Sequence, residues 1–183
     1  SDDAPLRALE HGRLHQPAYL LMVQNIQAGQ WDGAGVAALL ENHRSSDLLT
    51  RQTIATVRAR GWQGAVFDLE NLPDVALPAY QQWLARAHGQ FAAAGLTLAL
   101  TVPAGEPAWD LRGFGAAVDH VILMDYDQHW QGGEAGPIAA QDWFVRQLAL
   151  AKAAMPPAKL IVALGSYGYD WHDGHADALT IEE

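Results

Sequence analysis

Short apolar runs alternate with amphipathic stretches along this chain, which predicts repeated strand–helix units. Five apolar runs have the length of a buried strand, at residues 18–26, 66–69, 96–102, within 118–127, and 159–164. Strands at intervals of roughly 25–40 residues with helices between them favour a parallel sheet. The runs are apolar throughout, as expected of strands that are covered on both faces.

Helical periodicity separates these runs. Apolar residues at spacings of three and four predict one helix from about Pro78 to Ala94 and another that ends before Pro156. Residues 36–40 suggest a short helix. Ser45, Ser46 and Asp47 are predicted to cap a helix that runs to Arg60. The segment 111–117 is expected to be helical at best, and the tail 173–183 is polar and weakly patterned.

The amino-acid composition and net charge limit the classes of molecule that this chain is expected to bind. The chain has 183 residues, half of them hydrophobic, and a net charge of -10 with no basic run. This balance argues against nucleic acid and suits a neutral or basic substrate. There are no cysteines, which excludes disulfides and cysteine metal sites. No apolar run approaches the roughly 20 residues of a membrane span. We expect the residues from Ser1 onward not to be a signal peptide.

The segment after the second predicted strand carries two carboxylates among apolar residues. Asp68 and Glu70 are two positions apart, so on a strand their side chains leave the same face. Such a pair raises the pKa of one member, which is how a carboxylic acid stays protonated for general-acid catalysis. The alternative is a pair that caps a helix or binds an arginine. No GxGxxG or Walker loop is present, which weakens a nucleotide-binding interpretation.

Three strand-end motifs together resemble glycoside hydrolase family 18, the chitinases and related N-acetylglucosaminidases, and above all its peptidoglycan- and spore-cortex-lytic-like branch. The motifs occur in the family's order, and they are Phe67-Asp-Leu-Glu70, Leu123-Met-Asp-Tyr-Asp127 and Leu164-Gly-Ser-Tyr-Gly-Tyr-Asp-Trp171. The resemblance implies a retaining glycosidase for β-linked N-acetylglucosamine polymers, in which the substrate's acetamido group is the nucleophile. It also implies an extracytoplasmic location, neighbouring domains in a larger protein, and no cofactor.

The resemblance assigns a role to individual residues. It makes Glu70 the proton donor and later the base, Asp68 the carboxylate that orients the acetamide, and Tyr126 a hydrogen-bond donor to the acetamide carbonyl. Met124, Asp127 and Tyr167 are expected to line the same subsite. We also predict substrate contacts for Asn25 and Trp130. Simple packing remains the alternative for Met124, and a core position with a satisfied hydroxyl for Tyr126.

The chain departs from the family pattern in three places. Val66 and Gln63 stand where the full motif has acids. Asp125 is expected to point toward the helices, where it needs a partner such as Arg or His. The chain is also short for a (β/α)8 barrel of about 250 residues. We therefore predict a single α/β domain over residues 1–183 that is an incomplete TIM barrel, with five βα units that resemble strands three to seven.

Aromatic and histidine residues offer further candidates. Four tryptophans follow predicted strands and are candidate sugar platforms: Trp31, Trp109, Trp130 and Trp171. Trp62, Trp83 and Trp143 are expected to be structural. Two pairs, His11 with His15 and His172 with His175, have helical or turn spacing. No matching acidic motif accompanies them, so we predict no metal site.

Two other functions are compatible with the sequence. One is a non-catalytic, lectin-like sugar-binding module, which the short chain favours and the retained Glu70 disfavours. The other is an interaction domain within a polysaccharide-processing protein, which predicts an apolar, unpaired strand edge.

Overall fold

A computed structural model describes residues 18–173 and 175–179, and its centre is a parallel sheet of five strands. The strands are β1 (Leu20–Gln24), β2 (Ile26–Gln27), β3 (Gln30–Trp31), β4 (Gly64–Asp68), β5 (Thr97–Pro103), β6 (His120–Met124), β7 (Leu160–Ala163), β8 (Gly168–His172) and β9 (His175–Leu179). The helices are α1 (Gly33–Glu41), α2 (His43–Arg60), α3 (Leu77–Ala93), α4 (Leu111–Ala116) and α5 (Gln141–Ala154), with one-turn 3-10 helices at Asp74–Ala76 and Pro157–Lys159.

The strand order of the main sheet follows the chain. It is β1-β4-β5-β6-β7, and every neighbouring pair is parallel. A doubly wound sheet reverses its strand order at a switch point, whereas successive βα units of a barrel do not. The order therefore belongs to a section of a barrel wall.

The hydrophobic core lies between the strands and the helices. Phe67 on β4 is fully buried and packs edge-on against Trp83 of α3, with ring centroids 4.7 Å apart. Alternate residues of the neighbouring strands, such as Leu100 and Val121, join the same core. Successive side chains of a strand point to opposite faces of the sheet. The odd-numbered residues of β4 therefore face the helices, and its even-numbered residues face the opposite side.

That opposite face is open at its margins. Val66 and Ala99 are buried at its centre, but Met22 on β1 is 53% exposed and Ile161 on β7 is 46% exposed. Within the described residues, β1 and β7 each have one strand neighbour in this sheet. The prediction of an incomplete barrel is confirmed, and the apolar margins expected of open edges are present. The correspondence with strands three to seven stays a prediction.

Several element boundaries differ from those predicted. Helix α2 begins at His43 because Asn42 caps it, accepting hydrogen bonds from the amides of Arg44 and Ser45. The predicted cap at Ser45–Asp47 is wrong, and Ser46 is buried beside Trp83 instead. Two antiparallel hairpins, β2–β3 and β8–β9, form where turns and a weakly patterned tail were expected. Within the described residues, no helix combines the length and the apolar character needed to cross a membrane.

Candidate functional site

Asp68 is the last residue of β4 and its carboxylate is fixed from both sides. The carboxylate accepts a hydrogen bond from Gln24 Nε2 at 2.7 Å and another from Thr101 Oγ1 at 2.6 Å. Only 6% of Asp68 is exposed. Hydrogen bonds of this length hold the carboxylate in one orientation.

The strand register produces this arrangement. Gln24 pairs directly with Asp68 across β1 and β4, and Thr101 lies one position beyond the Phe67–Leu100 pair of β4 and β5. The three side chains therefore leave the same face in one row. Sequence analysis missed Gln24 and Thr101 as partners of Asp68. Polar residues inside otherwise apolar strands were the available signal, because buried polar groups need hydrogen bonds.

Glu70 lies two residues beyond Asp68, and its main chain is held by Asn25. The Asn25 Nδ2 donates to the Glu70 carbonyl at 2.8 Å, and its Oδ1 accepts from the Glu70 amide at 2.9 Å. Both polar ends of Asn25 are used in this way, and Asn25 does not line the cleft described below. The Asn25 amide thus continues the pairing of β1 and β4 past the ends of both strands, and a substrate contact of Asn25 stays a prediction.

The environment of Glu70 favours its protonated form. Partial burial, and then the negative charges of Asp68 and Asp127, raise the pKa of Glu70 from 4.5 to about 7. A carboxyl group with that pKa can carry a proton at neutral pH and deliver it to a leaving group. The acid pair noticed in the sequence is thus a buried, hydrogen-bonded Asp68 beside a protonatable Glu70.

Four aromatic side chains, one in the loop after β6 and three at or just before β8, form a ladder beside the carboxylates. Tyr126 packs edge-on against Tyr167, which packs against Tyr169, and Tyr169 packs against Trp171, with centroids 5.6–6.0 Å apart. The Tyr167 hydroxyl donates a hydrogen bond to Asp127. Burial, followed by the charges of Asp127, Glu70 and Asp68, raises the pKa of Tyr126, so its hydroxyl stays a hydrogen-bond donor.

A cleft at the carboxyl edge of the sheet brings most of the predicted residues together. Its main part has a volume of about 760 Å³ and is lined by residues that include Glu70, Tyr126, Asp127, Trp130, Trp31, Glu106 and Tyr169. A smaller part of about 250 Å³ adjoins it, shares Glu70, Asn71, Pro103 and Glu106, and adds Met124, Asp74 and Trp109. We call these two parts together the strand-end cleft. Tyr167 stands behind this lining, where it supports Asp127 and Tyr126.

Backbone geometry is unusual at two positions of the strand-end cleft. Asn71, next to Glu70, has a φ of 56°, and Asp127 has a φ of 60°. Non-glycine residues in the left-handed region cost free energy and cluster at functional sites. Asn and Asp are the residue types that tolerate this conformation best.

Asp125 lies on the helix side of β6, as predicted, but without the predicted partner. It is 1% exposed, and neither carboxylate oxygen has a hydrogen-bond partner among the described residues. The expected Arg or His is absent there, and burial raises the pKa of Asp125 to about 6. A buried carboxylate without a partner avoids the cost of its charge by binding a proton.

The other tryptophan and histidine candidates lie in different parts of the chain. Trp31 and Trp130 line the strand-end cleft as predicted, whereas Trp109 also packs on Phe114 in the core. His11 and His15 lie outside the described residues. Within residues 18–173 and 175–179, no group of three or more His, Asp or Glu side chains is placed to hold a metal ion.

Comparison with known proteins finds relatives whose names describe glycosylases and cortex-lytic enzymes. No protein-family model matches the sequence. The chain is 28% identical over 159 residues to YdhD of Bacillus subtilis, whose name describes a sporulation-specific glycosylase, and the match spans 83% of the chain and 38% of YdhD. It is 27% identical over 161 residues to the cortical fragment-lytic enzyme of Bacillus anthracis, and the match spans 83% of the chain and 37% of that enzyme. The chain thus spans less than two-fifths of these relatives.

Solved structures agree with the sequence relatives. The crystal structure of YdhD superposes with a TM-score of 0.89 at 26% identity, over 100% of this chain and 64% of that one. A chitinase from Chromobacterium violaceum shares the fold, with a TM-score of 0.83 at 24% identity over 90% of this chain and 55% of the chitinase. The resemblance to chitinase-like glycosidases inferred from the three motifs is therefore confirmed.

Proposed function

We propose that this chitinase-like domain is the catalytic part of a retaining glycosidase that hydrolyses β-linked N-acetylglucosamine polymers by substrate-assisted catalysis. The names of its relatives, a glycosylase and a cortical fragment-lytic enzyme, support the prediction that the chain belongs to a glycoside hydrolase. The substrate and the mechanism rest on the geometry of the strand-end cleft.

One observation carries this proposal: a protonatable Glu70 borders an aromatic cleft beside a fixed Asp68. Glu70 has a pKa of about 7, and Asp68 is anchored by Gln24 and Thr101. In the proposed first step, Glu70 donates its proton to the glycosidic oxygen as the bond breaks. The substrate's acetamide oxygen attacks the anomeric carbon, and an oxazolinium ion forms.

Asp68 and Tyr126 act on the acetamide group during this first step. The Asp68 carboxylate accepts a hydrogen bond from the acetamide N–H and stabilises the positive charge that develops on the ring, and the Tyr126 hydroxyl donates a hydrogen bond to the acetamide oxygen. Water attacks the anomeric carbon in the second step, and Glu70 accepts its proton. The net configuration at the anomeric carbon is retained because each of the two steps inverts it.

The aromatic lining supports a polysaccharide substrate. Trp31, Trp130 and Tyr169 present ring surfaces in the main part of the strand-end cleft, and Trp130 is 55% exposed. Apolar faces of sugar rings pack on such surfaces, so several of them along one cleft suit a chain of sugars. Met124 lines the smaller part, where it offers an adaptable apolar contact.

The test is hydrolysis of an N-acetylglucosamine oligomer by the full-length protein, with products identified by mass and anomeric form. Wild type is expected to release the β-anomer first, and Glu70→Gln to lose nearly all activity. Glu41→Gln, at the end of α1, is a matched control that keeps wild-type rates. Saturable binding without turnover by the wild type would instead establish the lectin-like function. Absence of sugar affinity would favour an interaction domain.

The same comparison supports the proposed location and the proposed neighbouring domains. The Bacillus cereus spore cortex-lytic enzyme SleL matches 91% of this chain at 26% identity, and its name refers to lysis of the spore cortex. This supports an extracytoplasmic site of action. The exposed apolar margins at Met22 and Ile161 support contacts with neighbouring segments of a larger protein.

A further inference from the structure

Helix α1 begins in direct contact with the main chain that follows the proposed proton donor. Gly33, the first residue of α1, is buried against the carbonyl group of Asn71, the residue after Glu70. A Cβ at position 33 would overlap the Asn71 carbonyl carbon and oxygen, and it would lie only 2.9 Å from the Leu72 amide nitrogen. Glycine is therefore the residue that lets the helix approach the Glu70 segment this closely.

The Asn71 main chain has little freedom to move away from position 33. Its φ of 56° lies in the left-handed region, which few residues other than glycine adopt. On one side of it, Asn25 binds both the amide and the carbonyl of Glu70. On the other side, Leu72 is 9% exposed and belongs to the hydrophobic core. A displacement of Asn71 must therefore also move Glu70 or Leu72.

The first turn of α1 is fixed as well. The Asp32 Oδ1 accepts a hydrogen bond from the Gly35 amide at 2.8 Å and so caps the helix. The Asp32 amide donates to the Asn25 carbonyl at 2.8 Å, so the residue that holds Glu70 also holds the start of α1. Val36, one turn further along, is buried in the hydrophobic core. The start of α1 is thus joined to the Glu70 segment through both Asn25 and Asn71.

We propose that Gly33 is a positioning residue for Glu70, because it lets the start of α1 support the Asn71 carbonyl and keep the proton donor in place. Gly33 is not among the residues that line the strand-end cleft, so it acts through the main chain of residues 70 and 71. Proton transfer needs Glu70 within hydrogen-bond reach of the leaving oxygen. This inference rests on the proposed glycosidase function and extends it to a residue outside the three motifs.

Gly33→Ala tests this role, since the added methyl group displaces the main chain of Asn71 and Glu70. Two substrates are compared with the full-length protein in a single turnover. An N-acetylglucosamine oligomer needs a proton on its leaving oxygen, whereas a dinitrophenyl N-acetylglucosaminide does not. We expect the variant to cleave the oligomer about ten- to a hundred-fold more slowly and to release dinitrophenol at close to the wild-type rate. Gly89→Ala in α3 is the matched control and should keep both rates, because a Cβ there meets nothing within 4 Å.

Asp32→Ala is the second variant, and it decides the question if thermal unfolding shows that Gly33→Ala does not fold. It removes the cap of α1 without adding an atom, which loosens the turn that contacts Asn71. We expect cleavage of the oligomer to slow about three- to ten-fold with dinitrophenol release unchanged. Asn42→Ala is its matched control, because it removes the cap of α2 at the far end of α1 and should change neither rate.

A loss of equal size on both substrates, or no loss in a folded Gly33→Ala variant, overturns the positioning role and leaves the glycosidase proposal standing. The same two outcomes in Asp32→Ala overturn it if Gly33→Ala does not fold. Failure of the wild type to hydrolyse the oligomer overturns the proposed function and this inference with it.

Discussion

Asn25 binds both main-chain polar groups of Glu70, its Nδ2 donating at 2.8 Å and its Oδ1 accepting at 2.9 Å. A side-chain amide thus replaces the backbone of β1 where that strand has ended, and it positions the proposed proton donor. The catalytic geometry therefore depends on a residue that does not border the strand-end cleft.

Replacement of Asn25 tests this positioning role. Asn25→Ala removes both hydrogen bonds, and we expect kcat to fall about ten- to a hundred-fold with KM almost unchanged, because small displacements of a catalytic group are costly. Steady-state kinetics on an N-acetylglucosamine oligomer measure both constants. The nearby exposed Gln27→Ala is the control. A rise in KM with unchanged kcat would show that Asn25 contacts the substrate after all.

The hydrogen bond from Thr101 to Asp68 is the second target. Thr101→Val keeps the shape of the side chain but leaves a buried carboxylate with one partner fewer, which is expected to cost about 2 kcal/mol of stability. We also expect kcat to fall, because Asp68 loses one of its two restraints. Thermal unfolding and kinetics check both effects. Thr97→Val, on the same strand but at its far end, should change neither. Equal effects of Thr101→Val and Thr97→Val on stability and kcat would contradict the role of Thr101 in holding Asp68.

The pKa of Glu70 predicts the alkaline limb of the pH–rate profile. Glu70 must be protonated to act as the acid, so kcat/KM should fall as pH rises through about 7. Asp127 raises this pKa, and Asp127→Asn should therefore move the limb to lower pH. Profiles of wild type and variant on the same N-acetylglucosamine oligomer provide the comparison. A limb that does not move, or moves to higher pH, would exclude the charge coupling between Asp127 and Glu70.

Asp125 provides a stability prediction that is independent of catalysis. Its pKa is raised from 3.8 to about 6 in the folded state, so the folded protein binds a proton that the unfolded chain has already released. This group's favourable contribution is present at low pH and is lost as pH rises from about 4 to 6. Asp125→Asn should therefore stabilise the protein at pH 8, on the order of 2 kcal/mol, and less at pH 5. Thermal unfolding at both pH values measures the difference, and an equal effect at both would contradict the raised pKa.

Periodicity predicted the regular part of the fold because burial determines it. The five strand runs and the helix near Tyr80 and Phe91 follow from apolar spacing, and the structure contains them. The caps and hairpins were missed because they depend on competition among local hydrogen bonds. Asn42 and Ser45 are both good caps, and no periodicity distinguishes them. The hairpin of β8 and β9 alternates too weakly to be recognised as strands.

Those site residues that belong to the three motifs could be predicted from the sequence. Asp68, Glu70, Tyr126 and Asp127 are separated by up to 59 residues of sequence, yet they meet because parallel strands end at one edge. Gln24 and Thr101 were not predicted, because their role arises from strand register, which apolar runs do not specify. Glu106 belongs to none of the motifs, and only the shape of the strand-end cleft brings it near Glu70.

The most direct test of the central claim compares two leaving groups in Glu70→Gln during a single turnover. An N-acetylglucosamine oligomer needs protonation of its leaving oxygen, whereas a dinitrophenyl N-acetylglucosaminide does not. If Glu70 is the proton donor, the variant should lose about 10²–10⁴ in rate on the oligomer and retain a rate close to wild type for dinitrophenol release. A loss of equal size on both substrates would contradict the role of Glu70 as the acid.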